Sequence, residues 1–117
     1  MTGAVIVAAR RSPIGTAGHA LAGLTAAELA APVVRAVVDD TGLPAERVDE
    51  VVLGNCMGPG GDVARVASLQ AGLPAAVPAL TVDRQCASGL AAIGVAGALI
   101  GAGATTEIGR ASCRERV

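Results

Sequence analysis

At 117 residues the chain is long enough for one small domain with a buried core, since 52% of it is hydrophobic and only 16% is charged. It contains no Phe, Tyr, Trp or Lys, so that core must come from Ala, Val, Leu and Ile, and it buries less area per residue than one with aromatic rings. Nine arginines against ten acids, a formal net charge of −1, exclude the basic excess of a nucleic-acid-binding protein.

Ala4 to Ala9 is an apolar run of buried-strand length and is read as the first strand. Arg10 and Arg11 follow it rather than precede it, the wrong order for a secretory signal. A loop through Pro13, Gly15, Gly18 and Gly23 comes next, carrying His19, the single histidine. Thr25 with Glu28 three positions on forms a capping box, predicting a helix to about Asp40 with Leu29, Val33, Val34, Val37 and Val38 as its apolar stripe. Gly42 stops it.

Val48 to Leu53 reads as the second strand. Gly58-Pro59-Gly60-Gly61 matches neither the Walker pattern nor GxGxxG and is taken as a turn, after which Asp62 caps a second helix ending near Ala71-Gly72. Pro74 and Pro78 prevent its continuation, and Ala79 to Val82 is a short third strand. Cys86 to Ala104 is then free of charge over nineteen residues, close to the length that spans a bilayer. Glycines at 89, 94, 97, 101 and 103 and the lack of aromatic or basic anchors favour a buried core helix over a membrane span. The order β-α-β-α-β-α argues for an α/β fold with a mainly parallel sheet and helices on its faces.

The most informative stretch is Asp83-Arg84-Gln85-Cys86-Ala87-Ser88-Gly89-Leu90, which ends a strand and opens a helix with a cysteine at the junction. Unpaired N–H groups and the positive end of the dipole at a helix start favour thiolate over thiol, and Ala87, Ser88 and Gly89 leave room for an acyl group beside the sulfur. A buried structural cysteine is the other reading of Cys86. Cys56 reads as packed beside its strand, and the three cysteines show neither a disulfide framework nor metal-ligand spacing, which fits a reducing cytoplasm and no metal site. Arg10, Arg11 and Arg84 could meet phosphates or an opposing subunit, but solvated or structural roles are the simpler reading.

Asp83 to Leu90, with Ala91, Ala92 and Ile93 behind it, resembles the acyl-enzyme signature of the thiolase family. Val5 to Gly15, Val48 to Asn55 and Ala64 to Pro74 resemble further family segments in the same order and spacing. The resemblance runs from Ala4 to about Thr106 and implies the N-terminal part of a layered αβαβα fold, left incomplete. It also implies that Cys86 attacks an acyl-CoA thioester, with its own backbone N–H as one oxyanion donor. A second acetyl-CoA, deprotonated at its methyl group, would then give acetoacetyl-CoA, and the reverse path is thiolysis. Coenzyme A thioesters are thus expected as substrates, with no separate cofactor, and the parent enzyme as a homodimer or homotetramer. The family's proton-abstracting cysteine and Gly-His-Pro histidine would lie beyond Thr106, and His19 is not that base. The other readings are a ketoacyl synthase relative and a small non-catalytic interaction module.

Two features depart from the family pattern. Asp83 stands where the family usually has Asn or a small hydroxyl residue, and its charge disfavours a nearby thiolate. Glu107 to Val117 changes composition abruptly, with three arginines in the last eight positions. The sequencing-adapter bases AGATCGGAAGAGCG read in this frame as the end of a Glu codon followed by Ile-Gly-Arg-Ala, the residues at 108–111. The expected organisation is therefore a truncated N-terminal thiolase domain over 1–106 and a non-native read-through tail over 107–117, to be left out of fold reasoning. A natural basic tail is the alternative. With the next strand replaced by such a tail, a sheet edge and the apolar helix are expected to lie uncovered.

Overall fold

A computed structural model describes residues 3–105 and, at the level of the backbone, 108–110. The remainder of the expected tail, Glu107 and 111–117, lies outside the described residues. Helix α1 spans Ala26–Thr41, a short 3-10 turn Ala45–Arg47, strand β1 Glu50–Gly54, helix α2 Val63–Gln70, strand β2 Ala79–Val82, helix α3 Ser88–Gly101 and strand β3 Ile108–Arg110.

The strands form a parallel sheet in the order β2-β1-β3. Val51 faces Ala79 and Gly54 faces Val82 on one side of β1, while Glu50 faces Ile108 on the other. Because side chains alternate along a strand, Val51 and Leu53 enter one core with α1 and α2, and Val52 enters a second with Ala92 and Ala96 of α3. With both faces of β1 covered, its apolar run is continuous rather than alternating, as is usual for a buried parallel strand. From β1 to β2 the chain moves one way across the sheet, and from β2 to β3 it moves back. Keeping the same crossover hand while reversing direction requires α3 on the face opposite α2, and that is where it packs.

The helix starts follow their caps. At α1 the Thr25 hydroxyl accepts from Glu28 N at 3.2 Å and the Glu28 carboxylate accepts from Thr25 N at 2.7 Å. Gly42 ends the helix with φ 69°, and its N–H donates to Asp39 O. At α2 the Asp62 carboxylate accepts from Arg65 N at 3.1 Å and from the Thr81 hydroxyl, which in turn accepts from Ala64 N at 2.9 Å. Arg65 reaches the carbonyls of Val77 and Ala75 at 2.7 and 2.8 Å, so α2 holds the chain entering β2 in addition to the burial of Leu73 and Val77 in the core.

Several elements differ from the sequence reading. Ala4 to Ala9 is not a strand: Val5, Ile6 and Val7 are 70–78% exposed, and the described sheet pairs only β1, β2 and β3. An apolar run becomes a strand only where a neighbour offers its ladder, and here the segment is instead tethered by the paired hydrogen bonds of Arg10 to Asp40. The second strand begins at Glu50 rather than Val48, because the 3-10 turn and Val48 carry the chain up to the sheet. On α1 the buried stripe is mostly alanine, with Ala26, Ala27, Ala30 and Ala31 beside Val34, Val37 and Val38, while Leu29 and Val33 lie only partly buried. Helix α3 is not buried all round: Ser88, Ala92 and Ala96 face the sheet, while Leu90 is 74% exposed. The expected open edge of β1 is occupied by Ile108–Arg110. Among the described residues no helix is long and apolar enough to cross a membrane.

The carboxyls of Glu28 and Asp40 are held below their ordinary values, Glu28 by the backbone N–H and side chain of Thr25 and Asp40 by its hydrogen bond from Arg10. A depressed folded-state value adds stability that is present above the unfolded value and is lost as pH falls through the folded one. Urea unfolding of the chain is therefore expected to need less denaturant as pH drops below 4.5 and then 3.8, the ordinary Glu and Asp values, with Glu28→Gln flattening the upper part of that fall. An identical acid profile for parent and E28Q would show that the capping box contributes nothing to it.

Candidate active site

Parallel strands release their connections at one edge, and in open α/β sheets ligands bind at that carboxyl edge. Two loops leave it side by side here. After β1, Asn55 donates its backbone N–H to Val82 O at 3.0 Å, linking it to the end of β2. Its side chain accepts from Gly58 N at 3.0 Å and donates to Pro59 O at 3.2 Å, closing the Gly58–Gly61 turn on itself. Cys56 is half-buried in this loop, as a packed cysteine would be.

After β2 the chain makes a tight turn from Asp83 to Ala87 before α3 begins. Asp83 accepts from Gln85 N at 3.0 Å, so the carboxylate is engaged in shaping the turn. Gln85 adopts φ 49°, a left-handed conformation that side chains bearing a Cβ rarely take. Ala87 N and Ser88 N donate back to Arg84 O and Gln85 O at 3.0 and 3.1 Å. The Ser88 hydroxyl accepts from Arg84 N at 2.8 Å and donates to Gln85 O at 2.6 Å. Cys86 stands at the crest of this turn, exposed, one residue before the helix cap Ala87.

The start of α3 differs from those of α1 and α2 in carrying no side-chain cap. The N–H of Ser88, the first of the helix, donates to Gln85 O, and no side chain of the turn caps the N–H groups that follow it at the positive end of the helix dipole. An oxyanion formed on a bound carbonyl is the species such donors favour. Gly54 brings β1 against the same point: a Cβ there would lie 2.5 Å from Ser88 C and 2.7 Å from Gly89 N.

The structure brings none of the other sequence-noted residues to Cys86 by a hydrogen bond. His19 sits in a separate turn, its N–H on Thr16 O and its carbonyl accepting from Ala22 N. Arg10 is committed to Asp40. Among the described residues no group of three or more His, Cys, Asp and Glu could hold a metal ion. Sequence reasoning missed the parts played by Gln85, Ser88 and Gly54. For Gly54 a signal existed in a glycine closing an apolar strand, which often marks a close backbone approach.

The family profile described as "Thiolase, N-terminal domain" matches residues 4–109. An acetyl-CoA acetyltransferase of Pseudomonas aeruginosa is 47% identical over 95 residues, covering 80% of this chain and 24% of its own length. One from Cupriavidus necator is 44% identical over 105 residues, covering 88% and 27%. The crystal structure of the Bacillus anthracis acetyl-CoA acetyltransferase superposes with a TM-score of 0.79 at 44% identity, over 81% of this chain and 25% of that one. The chain thus spans about a quarter of the length of the curated relatives it matches.

Proposed function

The chain belongs to the thiolase family, within its N-terminal domain, and from that premise we propose that Cys86 is the nucleophile that takes an acyl group from an acyl-CoA. The observation that carries this reading is the placing of an exposed Cys86 at the uncapped start of α3, on the carboxyl edge of a parallel sheet. Its sulfur attacks the thioester carbonyl, the bond from that carbon to the coenzyme A sulfur breaks, and the departing thiolate takes up a proton. Exchange of one thioester for another changes the free energy little, which suits a thiol better than a hydroxyl. The backbone N–H of Cys86, in the turn before α3, is one donor that stabilises the oxyanion formed on the way.

In the whole enzyme a second acetyl-CoA, deprotonated at its methyl group, attacks the acetyl group to give acetoacetyl-CoA and free the Cys86 sulfur. In reverse that sulfur attacks the 3-keto carbon, the C2–C3 bond breaks, the departing acetyl-CoA carbanion takes up a proton, and coenzyme A removes the acetyl group from the sulfur. These steps need a base and a second thiol, which by resemblance to the family lie beyond Thr106. The 117-residue chain by itself is accordingly inactive in condensation and thiolysis. The parent works in the cytoplasm as a homodimer or homotetramer. The residues 107–117 are, on this reading, not part of the enzyme.

The test is acyl transfer from radiolabelled acetyl-CoA to the full-length enzyme carrying this segment, followed by peptide mapping. Label is expected on Cys86 and is expected to vanish in Cys86→Ser. Label that persists in C86S, or that comes only from an acetyl carrier protein, would reject the proposal. Thiolysis of acetoacetyl-CoA by the purified 117-residue chain would overturn the claim that it is inactive.

A further inference from the structure

We propose that Ser88 is a positioning residue for Cys86, its hydroxyl holding Gln85 in the left-handed conformation that seats the cysteine at the head of α3. The inference rests on the reading of Cys86 as the nucleophile. Ser88 and Ser68 are the two buried polar side chains recorded among the described residues, and they differ in use. The Ser68 hydroxyl has no partner, whereas that of Ser88 makes two bonds, accepting from Arg84 N at 2.8 Å and donating to Gln85 O at 2.6 Å. Both backbone groups belong to the two residues immediately before Cys86.

Gln85 is the sole non-glycine residue with positive φ among those described. Such a conformation persists only where its surroundings over-determine it. Three contacts do so here: the Asp83 carboxylate on Gln85 N, and the Ser88 hydroxyl and Ser88 N on Gln85 O. Asp83 lies exposed and its bond competes with water, while Ser88 is 5% exposed and its part-buried bonds compete with water less. Removing the Ser88 hydroxyl leaves Arg84 N without that partner and lets Gln85 relax toward negative φ, which swings Cys86 away from the uncapped turn. The one proton of the Ser88 hydroxyl is already donated to Gln85 O, so Ser88 is not a proton donor to substrate and acts through the turn.

The experiment is alkylation of the full 117-residue chain by iodoacetamide, read by mass spectrometry on tryptic peptides. Cys86 falls in the peptide 85–110 and Cys56 in 48–65, so the two thiols report separately. In the parent, Cys86 is expected to react faster than in the urea-unfolded chain. Ser88→Ala is expected to slow it about fivefold or more toward the unfolded rate, with Cys56 unchanged. Glycine adopts positive φ without cost, so in a Gln85→Gly background the effect of Ser88→Ala is expected to shrink below about twofold. Should S88A alone unfold the chain, seen as Cys56 reacting at its unfolded rate, the double variant must restore parent labelling of both thiols. Fast labelling in the parent that S88A leaves unchanged, or an S88A effect equally large in the Q85G background, overturns the role of Ser88 alone. A parent Cys86 no faster than in the unfolded chain overturns the nucleophile reading, and this inference with it.

Discussion

Gly54→Ala is expected to destabilise the chain by about 3 kcal/mol or more and to lower its melting temperature by at least roughly 10 °C. The added Cβ would lie 2.5 Å from Ser88 C, 2.6 Å from Ser88 O and 2.7 Å from Gly89 N. All three are backbone atoms of the first turn of α3, so no rotamer change relieves the contact. The strand cannot yield either, since β1 is central in the sheet and Val51, Val52 and Leu53 are fully buried on its two faces. The strain must therefore displace α3, the element whose start seats Cys86. Gly94→Ala is the matching control: no atom lies within 4 Å of a Cβ there, and the change is expected to stabilise α3 by up to about 1 kcal/mol through helix propensity. Circular dichroism melts of the two variants give opposite signs on this account. A G54A chain melting within two or three degrees of the parent would show that α3 can be moved without loss and would remove Gly54 from the description of the site.

How far the site could be read in advance follows from which signals are local. Thr25 with Glu28, Gly42 and Asp62 act within one turn of chain, and each caps the helix it marks in the sequence. The position of Cys86 between a strand and a helix was legible for the same reason, because that junction is a local pattern. The fate of Ala4 to Ala9 was not: periodicity reports that a segment can be buried, not that a neighbouring strand is present to receive it. The stripe of α1 was misread toward its larger residues. Close approach of α1 to α2 and the sheet favours Ala27, Ala30 and Ala31 at the contact and pushes Leu29 and Val33 toward its edge. Gln85 carries no sequence signal for positive φ, as Gly or Asn would, and its conformation is imposed by Ser88 and Asp83 from either side. Asp83 was read only as a charge near a thiol, whereas its geometric part in the turn depends on the backbone path of Gln85.

Leu53→Ala is expected to cost about 3 to 5 kcal/mol, the upper part of the range for such truncations. Leu53 is the largest fully buried side chain among the described residues, at 0% exposure, in a core whose other members, Leu73 apart, are Val and Ala. The cost of a truncation depends on how far neighbours collapse into the space it leaves, and long flexible side chains collapse best. Around Leu53 the buried residues of α1 and α2 are Ala27, Ala30, Ala31, Ala64 and Ala67, with β-branched Val34, Val38 and Val63, none of which can extend into a void. The aromatic-free composition therefore makes the core both small and unforgiving. Against a total stability on the order of 5–15 kcal/mol for a natural domain, such a loss leaves a chain at the low end of that range with only about 0 to 2 kcal/mol, so that up to roughly half of it is unfolded at room temperature. Leu53→Val, which keeps most of the volume, is expected to cost nearer 1 kcal/mol. Urea titrations of parent, L53V and L53A, with unchanged slopes, would give this series directly. A loss below about 1 kcal/mol for L53A would mean that the helices close over β1 as the side chain shortens, and rigid alanine packing could then no longer explain how α1 and α2 hold the strand whose end positions Cys86.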